Sequence, residues 1–399
     1  MRLLVAPDSS MYKTPDGKYW CPTIYDYSFF ERYLQVFDKI VVASRVKNAT
    51  YEEVKGFLRC DGPNMRVCDL PDMHGMLSYL KKIIPFMSAA KRATQKVDCA
   101  IIRLPSMPAS MVLHFFKKTK KRYALEIVAD PEDAYASSFI AKQLFTRLLK
   151  KQCLHADGVS YVTKSYLQKK YPSYRRKYGN DGKHFESYYS TIRLNEDYFA
   201  NPKSFLEKKK FTIIHTANNM NNNVKGHEEL LLAVSLVVAK GYDVSVRFIG
   251  DGQLKEYFKR KAKQLGIDNR VTFVGRLAGS DAVRQELINA DLLVFPTKAE
   301  GLPRSVIEAM AVGLPVISTP VAGIPELIEK EDMIDPTDIK GFAKRIIEFI
   351  SNSKMMEEKS KRNIKKAKEY SETILCIKRN NFYEELKKRA TVNRYLKLS

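Results

Sequence analysis

In "AEGLPRSVIEAMAVGLPVISTP", residues 299–320, two acids, Glu300 and Glu308, flank Pro303. Glu300 falls in a loop signal, Glu308 inside an apolar helical pattern. Gly301 permits close backbone approach, Pro303 suits a first helical turn because its missing N–H would be unpaired there anyway, and Gly313 suits a C-terminal cap. The spacing predicts a helix from about 303 to 313 whose free N–H groups face the loop, a ready anion site. Ile307, Met310, Ala311 and Leu314 make its buried stripe, and Arg304 and Glu308 share another face. Arg304 in the first turn opposes the helix dipole. Either Glu308, as a plain local ion pair, or a bound phosphate offsets it.

The surrounding pattern must hold these residues in place. From 211 onward, "FTIIHTA", "VSVRFIG", "VTFVG", "DLLVFPT" and "PVISTP" alternate with helical segments at about 226–240, 252–266, 280–290 and 303–313. Strands that read as unbroken apolar runs between helices predict a parallel sheet covered on both faces. The first half repeats the alternation less clearly, with "RLLVAP", "KIVVAS", "CAIIRLP", "YALEIVAD" and "GVSYVT" as strands and helices over 75–92 and 134–154. The expected architecture is two doubly wound, Rossmann-like α/β domains facing each other across a cleft. Residues 1–190 make the first domain, 191–370 the second, and 371–399 a basic helix packing back on the first. Ligands of such sheets bind beyond the carboxyl ends of the strands.

The run E-G-L-P-x-x-x-x-E-A-M-A-x-G-x-P-V-I-x-T resembles the donor-site signature of the retaining glycosyltransferases of family 4, enzymes of the GT-B fold. The likeness is specific over 291–328, good over 211–345 and weak before 190. It implies that the first domain is the acceptor side, that the second binds a sugar nucleotide, and that Glu308 holds its ribose hydroxyls, a carboxylate being able to accept from two vicinal hydroxyls. Glu300 then faces the transferred sugar, and Gly301, Leu302 and Pro303 at the helix start meet the sugar or diphosphate. "NNNVKGHEELLLA" resembles the family's K-G segment, so that Lys225 neutralises the diphosphate. An arginine usual shortly before it is missing from "HTANNMNNN", and Arg304 or, less directly, Arg276 is the substitute, each otherwise a solvated surface charge. "FIGDGQL", with Gly250, and "VTFVGRL" look like the turns beside the nucleobase. The family's first-domain histidine near the anomeric carbon is replaced by Asp130 of "LEIVADPEDAY", which orients the acceptor or is an ordinary turn former.

The implied reaction moves a sugar from a nucleoside diphosphate sugar to an acceptor hydroxyl with retention. Cations and dipoles stabilise the departing diphosphate, with no metal and no cofactor expected. Arg103 in "IIRLPS" and Trp20, the single tryptophan, are candidates on the acceptor side, Trp20 by stacking on a sugar or else by simple packing.

Composition sets the remaining bounds. The 399 residues carry 68 Lys+Arg against 45 Asp+Glu, a formal charge of +23, with the excess concentrated in the first half and the tail. Such a chain is drawn to polyanions. No nucleic-acid recognition motif accompanies the charge, so a nucleic-acid binder is the weaker reading. An epimerase or phosphorylase on the same fold is the enzymatic alternative. The six cysteines have no metal or C-x-x-C spacing and read as reduced thiols of a cytoplasmic protein. No stretch reads as a signal peptide or a membrane span. "MLSYLKKIIPFMSAAKR" places Leu77, Leu80, Ile84 and Met87 at helical spacing beside Lys81 and Lys82. It reads either as peripheral docking on an anionic inner leaflet, with a carbohydrate or lipid-linked carbohydrate acceptor, or as a core-facing helix.

Overall fold

The computed structural model describes residues 1–73, 76–135, 138–277 and 279–395. Its contacts divide the chain into two units. Met1–Val162, Leu167–Tyr189 and Ile377–Ser399 form the first, and Thr163–Tyr166 with Ser190–Cys376 the second.

The first unit is built on β1 (Arg2–Ala6), β2 (Ser10–Lys13), β3 (Tyr19–Cys21), β4 (Lys39–Asn48), β5 (Leu58–Arg59), β6 (Met65–Pro71), β7 (Cys99–Leu104), β8 (Tyr123–Ile127), β9 (Gly158–Tyr161) and β10 (Phe185–Tyr188). The sheet order is β10-β9-β8-β7-β1-β4-β2-β3-β5, with β6 also on β4. Among the described residues only the β2–β3 and β3–β5 pairings are antiparallel. Between the strands run α1 (Tyr27–Leu34), α2 (Met76–Ala93), α3 (Met107–Lys117), α4 (Pro131–Ala134), α5 (Phe139–His155), α6 (Tyr166–Lys170) and α7 (Tyr174–Tyr178). Central strands β1, β7 and β8 are buried almost throughout, as a sheet covered on both faces requires.

One charged pair sits in that core. The register sets Arg103 of β7 opposite Glu126 of β8, and the two form a buried ion pair. Glu126 also accepts from the hydroxyls of Tyr33 at 3.0 Å, Tyr189 at 2.9 Å and Tyr383 at 2.8 Å. Burial pushes the Glu126 carboxyl up, but the Arg103 guanidinium and the Tyr383 and Tyr189 hydroxyls outweigh it and hold the group below its ordinary range. A buried carboxylate is tolerable only with such partners.

The second unit contains β11 (Lys210–Asn219), β12 (Asp243–Asp251), β13 (Val271–Gly275), β14 (Leu292–Phe295) and β15 (Val316–Ser318), all parallel, in the order β13-β12-β11-β14-β15. The helices are α8 (His227–Ala239), α9 (Lys255–Gln264), α10 (Ser280–Asn289), α11 (Arg304–Ala311), α12 (Ile339–Ile350) and α13 (Ser353–Ala367). The last helix, α14 (Glu372–Tyr395), enters the first unit at Ile377. Leu230, Leu231, Val234 and Val237 of α8 seal one face of this sheet, and Ile307, Met310 and Ala311 of α11 are wholly buried, as their spacing predicts. The strand order reverses between β11 and β14. Such a switch point leaves a crevice at the carboxyl ends of the two strands. The loop after β11 carries Lys225, and the loop after β14 carries Glu300.

Candidate active site

The two loops meet. Lys225 donates from Nζ to Glu300 Oε1 at 2.5 Å and to the Ala299 carbonyl at 2.9 Å, while Thr297 Oγ1 donates to Glu300 Oε1 at 3.3 Å. The backbones are locked together behind the pair: Lys298 N–H donates to the Val224 carbonyl at 2.8 Å. Gly226 takes φ +77° as the N-cap of α8, and a Cβ there would lie 2.1 Å from the Pro296 carbonyl oxygen. Only glycine admits both the dihedral and the approach.

The asparagine run before Lys225 has a local function. Asn219 accepts from Asn221 N–H at 2.6 Å, Asn222 from Val224 N–H at 3.2 Å, and Asn223 from Glu228 N–H in the first turn of α8 at 3.1 Å. These side chains shape the turn and cap the helix where Gly226 has no side chain to offer.

Beneath the loop lie two buried imidazoles. His215 Nε2 is 2.7 Å from the Lys225 carbonyl, and His227, 4.4 Å from His215 by ring centroids, stacks on Phe258. Burial pushes His215 down to about 4 and His227 down to about 2, so both rings are neutral at ordinary pH.

On the other side of Glu300, α11 starts at Arg304, with Pro303 as its N-cap at φ −71°, ψ 112°, and no side chain caps it. Its first N–H groups therefore face the loop without an intrahelical acceptor. The loop is backed by Gly323, whose N–H donates to the Gly301 carbonyl at 2.9 Å. A Cβ on Gly323 would press on Gly301 O and Leu302 Cδ1. Leu302 is buried.

Glu308 is half-buried on the second turn of α11. Burial raises its carboxyl and the Arg304 guanidinium opposes the rise. Among the described residues it has no hydrogen bond or ion pair. Near enough to feel its charge is Tyr198, whose buried hydroxyl has no hydrogen-bond partner among the described residues. Burial and the Glu308 charge raise that phenol. Arg284 fixes Tyr198 by donating to its carbonyl at 2.9 Å and lying 5.6 Å from its ring. Tyr198 escaped the sequence reading because "NEDYF" has no periodic signal. Gly250 lies at the β12 bulge with φ +131°, and Arg276 is an exposed cation after β13 whose field reaches Asp251.

Two expectations in the first unit are corrected. Arg103 is buried against Glu126 and packed under the Phe29 ring, so its charge is already matched in the core. Asp130 is 1% exposed and caps α4. It accepts from Glu132 N–H at 2.9 Å, Tyr171 hydroxyl at 2.5 Å and Lys170 Nζ at 2.7 Å. The turn-former alternative describes it, and the catalytic one does not. Trp20 is half-buried in β3, with its indole N–H donating to Thr14 Oγ1 at 3.1 Å. Among the described residues, the carboxylates close enough to share a cation are Glu329, Glu331 and Asp332. The Lys359 ammonium already lies within 2.9 Å of all three.

Residues 197–370 match the family described as Glycosyl transferases group 1. This segment is a group 1 glycosyl transferase domain. Lys225, Glu300 and Glu308 all lie in the group 1 domain, as do Tyr198 and the His215–His227 pair. Protein CapJ of Staphylococcus aureus is 28% identical over 393 residues, covering 97% of this chain and 96% of its own length. A putative colanic acid biosynthesis glycosyltransferase, WcaL of Salmonella typhimurium, is 30% identical over 134 residues, 31% of this chain and 33% of that protein. Among solved structures, Anabaena Alr3699/HepE in complex with UDP superposes with a TM-score of 0.68 at 16% identity, covering 96% of this chain and 99% of that one. The likeness shows the GT-B type of fold, two Rossmann-like units, around the group 1 domain.

Proposed function

We propose that the group 1 domain binds a nucleoside diphosphate sugar and that the chain transfers the sugar to an acceptor hydroxyl with retention at the anomeric carbon. The observation that carries this reading is the Lys225–Glu300 pair at the sheet's switch point, beside the uncapped start of α11. Anions are favoured at such a helix end. The diphosphate would lie against it, with Lys225 turning from Glu300 to the phosphate oxygens and Arg304 adding a second cation. In the transfer the C1–O bond to the diphosphate breaks, its electron pair passing to the phosphate oxygen. The acceptor oxygen bonds to C1 from the same face, and its proton goes to that departing oxygen. Stabilising the charge that builds on the leaving group is the largest catalytic contribution in sites of this kind. Fixed cations and N–H groups supply it here, and the proposed reaction is metal-independent.

Glu300 would orient the sugar, and Glu308 would accept from the ribose hydroxyls. The Tyr198 hydroxyl, unpartnered beside Glu308, is a further donor or acceptor for the nucleoside. The UDP and UDP-glucose held by Alr3699/HepE support a uridine nucleotide as the first donor to try, and the colanic acid assignment of WcaL supports a role in polysaccharide synthesis on a carbohydrate or lipid-linked acceptor. Peripheral attachment at the inner face of a cell membrane suits such an acceptor. Thermal stabilisation by UDP-, GDP- and ADP-sugars tests the proposal, because a ligand of the folded state alone raises the melting temperature. If no sugar nucleotide shifts it, or if Glu300→Ala/Glu308→Ala retains full transfer, the reading fails.

A further inference from the structure

Helix α2 carries the segment whose sequence reads either as peripheral docking or as a core-facing helix. The side chains of Leu77 and Leu80 lie outside the described residues, while Ile84 and Met87 of α2 are exposed. A stronger feature lies on α5. Phe139, Ile140 and Leu144 are 72%, 79% and 60% exposed, an unusual cost for large apolar side chains clustered on one helix. At 3.6 residues per turn they share one side of α5 with Arg147, Lys150 and Lys151, and the buried Leu149, Gln152 and Cys153 face the opposite way. Helix α5 contains no Asp or Glu. Lys142 pairs with Glu132 at 3.7 Å, but among the described residues Arg147, Lys150 and Lys151 form no ion pair. The outward face thus carries Phe139, Ile140 and Leu144 around a single polar residue, Gln143, in its first two turns and is cationic in the rest.

The place of this face in the fold matters. α5 begins just after the carboxyl end of β8, the edge of the sheet where doubly wound folds take their ligands. The crossovers β6–α2–β7, β7–α3–β8 and β8–α5–β9 all step in the same direction along the sheet, so right-handed connections put α2, α3 and α5 on one face of the first unit. Exposed Ile84 and Met87 therefore belong to the same layer as the α5 patch.

We infer that α5 docks this chain onto an anionic bilayer, with Phe139, Ile140 and Leu144 entering the interface and Arg147, Lys150 and Lys151 lying among acidic headgroups. Amphipathic helices with apolar and basic residues together bind membranes in this way, sinking about 5–10 Å below the headgroups. Charge complementarity selects this occupant over a second copy of the chain. A two-fold pairing of α5 with itself would set Arg147, Lys150 and Lys151 against either their own copies or the partner's apolar turns, with no acid on the helix to match them. The inference rests on the first unit alone and stands or falls separately from sugar transfer.

Flotation of the full chain with vesicles of phosphatidylcholine, or of phosphatidylcholine mixed with phosphatidylglycerol, tests it. Co-flotation with the mixed vesicles only is expected. F139S/I140S/L144S should weaken it at least about tenfold, and R147Q/K150Q/K151Q should weaken it and flatten its salt dependence. Melting temperature and UDP-sugar stabilisation should be those of the parent in both variants, since these side chains are exposed. No flotation with the mixed vesicles, equal flotation with neutral ones, or full flotation of the apolar variant overturns the inference. A dimer in solution that F139S/I140S/L144S dissolves would also overturn it, in favour of a second copy.

Discussion

Lys225 and Glu300 close on each other from two loops of one sheet, with Nζ 2.5 Å from Oε1. An ammonium held there by a carboxylate is poised for exchange. Under the proposed function it would loosen from Glu300 to serve an incoming diphosphate, and in doing so would release the acid toward the sugar.

Lys225→Ala should therefore do two things at once. Turnover should fall roughly a hundredfold or more through loss of leaving-group stabilisation, and Glu300 should lose its partner. Glu300→Gln should lower kcat while leaving the Kd for the nucleotide nearly unchanged. Steady-state kinetics beside calorimetric titration with UDP separates the effects. A Glu300→Gln enzyme with normal kcat refutes the role given to that acid.

Tyr198 and Glu308 make a contrasting pair of predictions. Glu308→Ala should weaken nucleotide binding about 10- to 100-fold, the scale of hydrogen bonds to a charged group. Tyr198→Phe removes a buried hydroxyl that has no partner among the described residues. The unliganded variant should be as stable as the parent or about 1 kcal/mol more so, while its affinity for the nucleotide drops. Thermal melts with and without UDP check both. A large loss of stability in the unliganded Tyr198→Phe protein would mean that the hydroxyl is satisfied in the native state.

The Glu126 cluster governs the first unit. Removing one member of a buried ion pair leaves the other charge unmatched, a loss of about 3–5 kcal/mol. Glu126→Leu and Arg103→Leu should each reduce stability on that scale in urea unfolding. The double variant should recover much of the loss. If Arg103→Leu is stable and loses only activity, the acceptor-side expectation for Arg103 returns.

Stability should also decline in mild acid. His215 and His227 titrate near 6.5 when unfolded but only at about 4 and about 2 in the fold. Below pH 6.5 the unfolded chain binds protons that the native state refuses, so folding weakens as pH falls through that window. The slope is about 1.4 kcal/mol per pH unit for each ring, ending near pH 4 for His215 and continuing lower for His227. His227→Phe should flatten the decline. Melts of both proteins from pH 7.5 to 5 that run parallel would contradict this origin.

Much of the second unit was legible because its strands are short unbroken apolar runs separated by helix signals, and because Pro303 and Gly313 punctuate α11. Glu300 and Glu308 stood out by type and position, and Lys225 by the resemblance of its segment. Contacts between distant segments were not legible in the same way. Arg103 and Glu126 sit in two neighbouring apolar strands, "IIRLP" and "ALEIV", and only the register shows that they face one another. A lone charge in each of two adjacent buried strands was the available signal. Asp130 was legible as a turn former, but nothing in "VADPED" announces Lys170 and Tyr171. The small strands β2, β3 and β5 lack the length for a pattern, and their pairing arises from tertiary contact. The asparagine run was noticed for the arginine it lacks, whereas its side chains are occupied in forming the turn.

The fit of Gly226 against Pro296 ties the two loops into one object. Donor preference could not be regrafted from another enzyme by exchanging the lysine loop alone, since any imported residue with a side chain at that point would prise the strands' ends apart. Chimaeras ought to respect this seam, with 219–226 and 296–303 travelling together as a matched cassette.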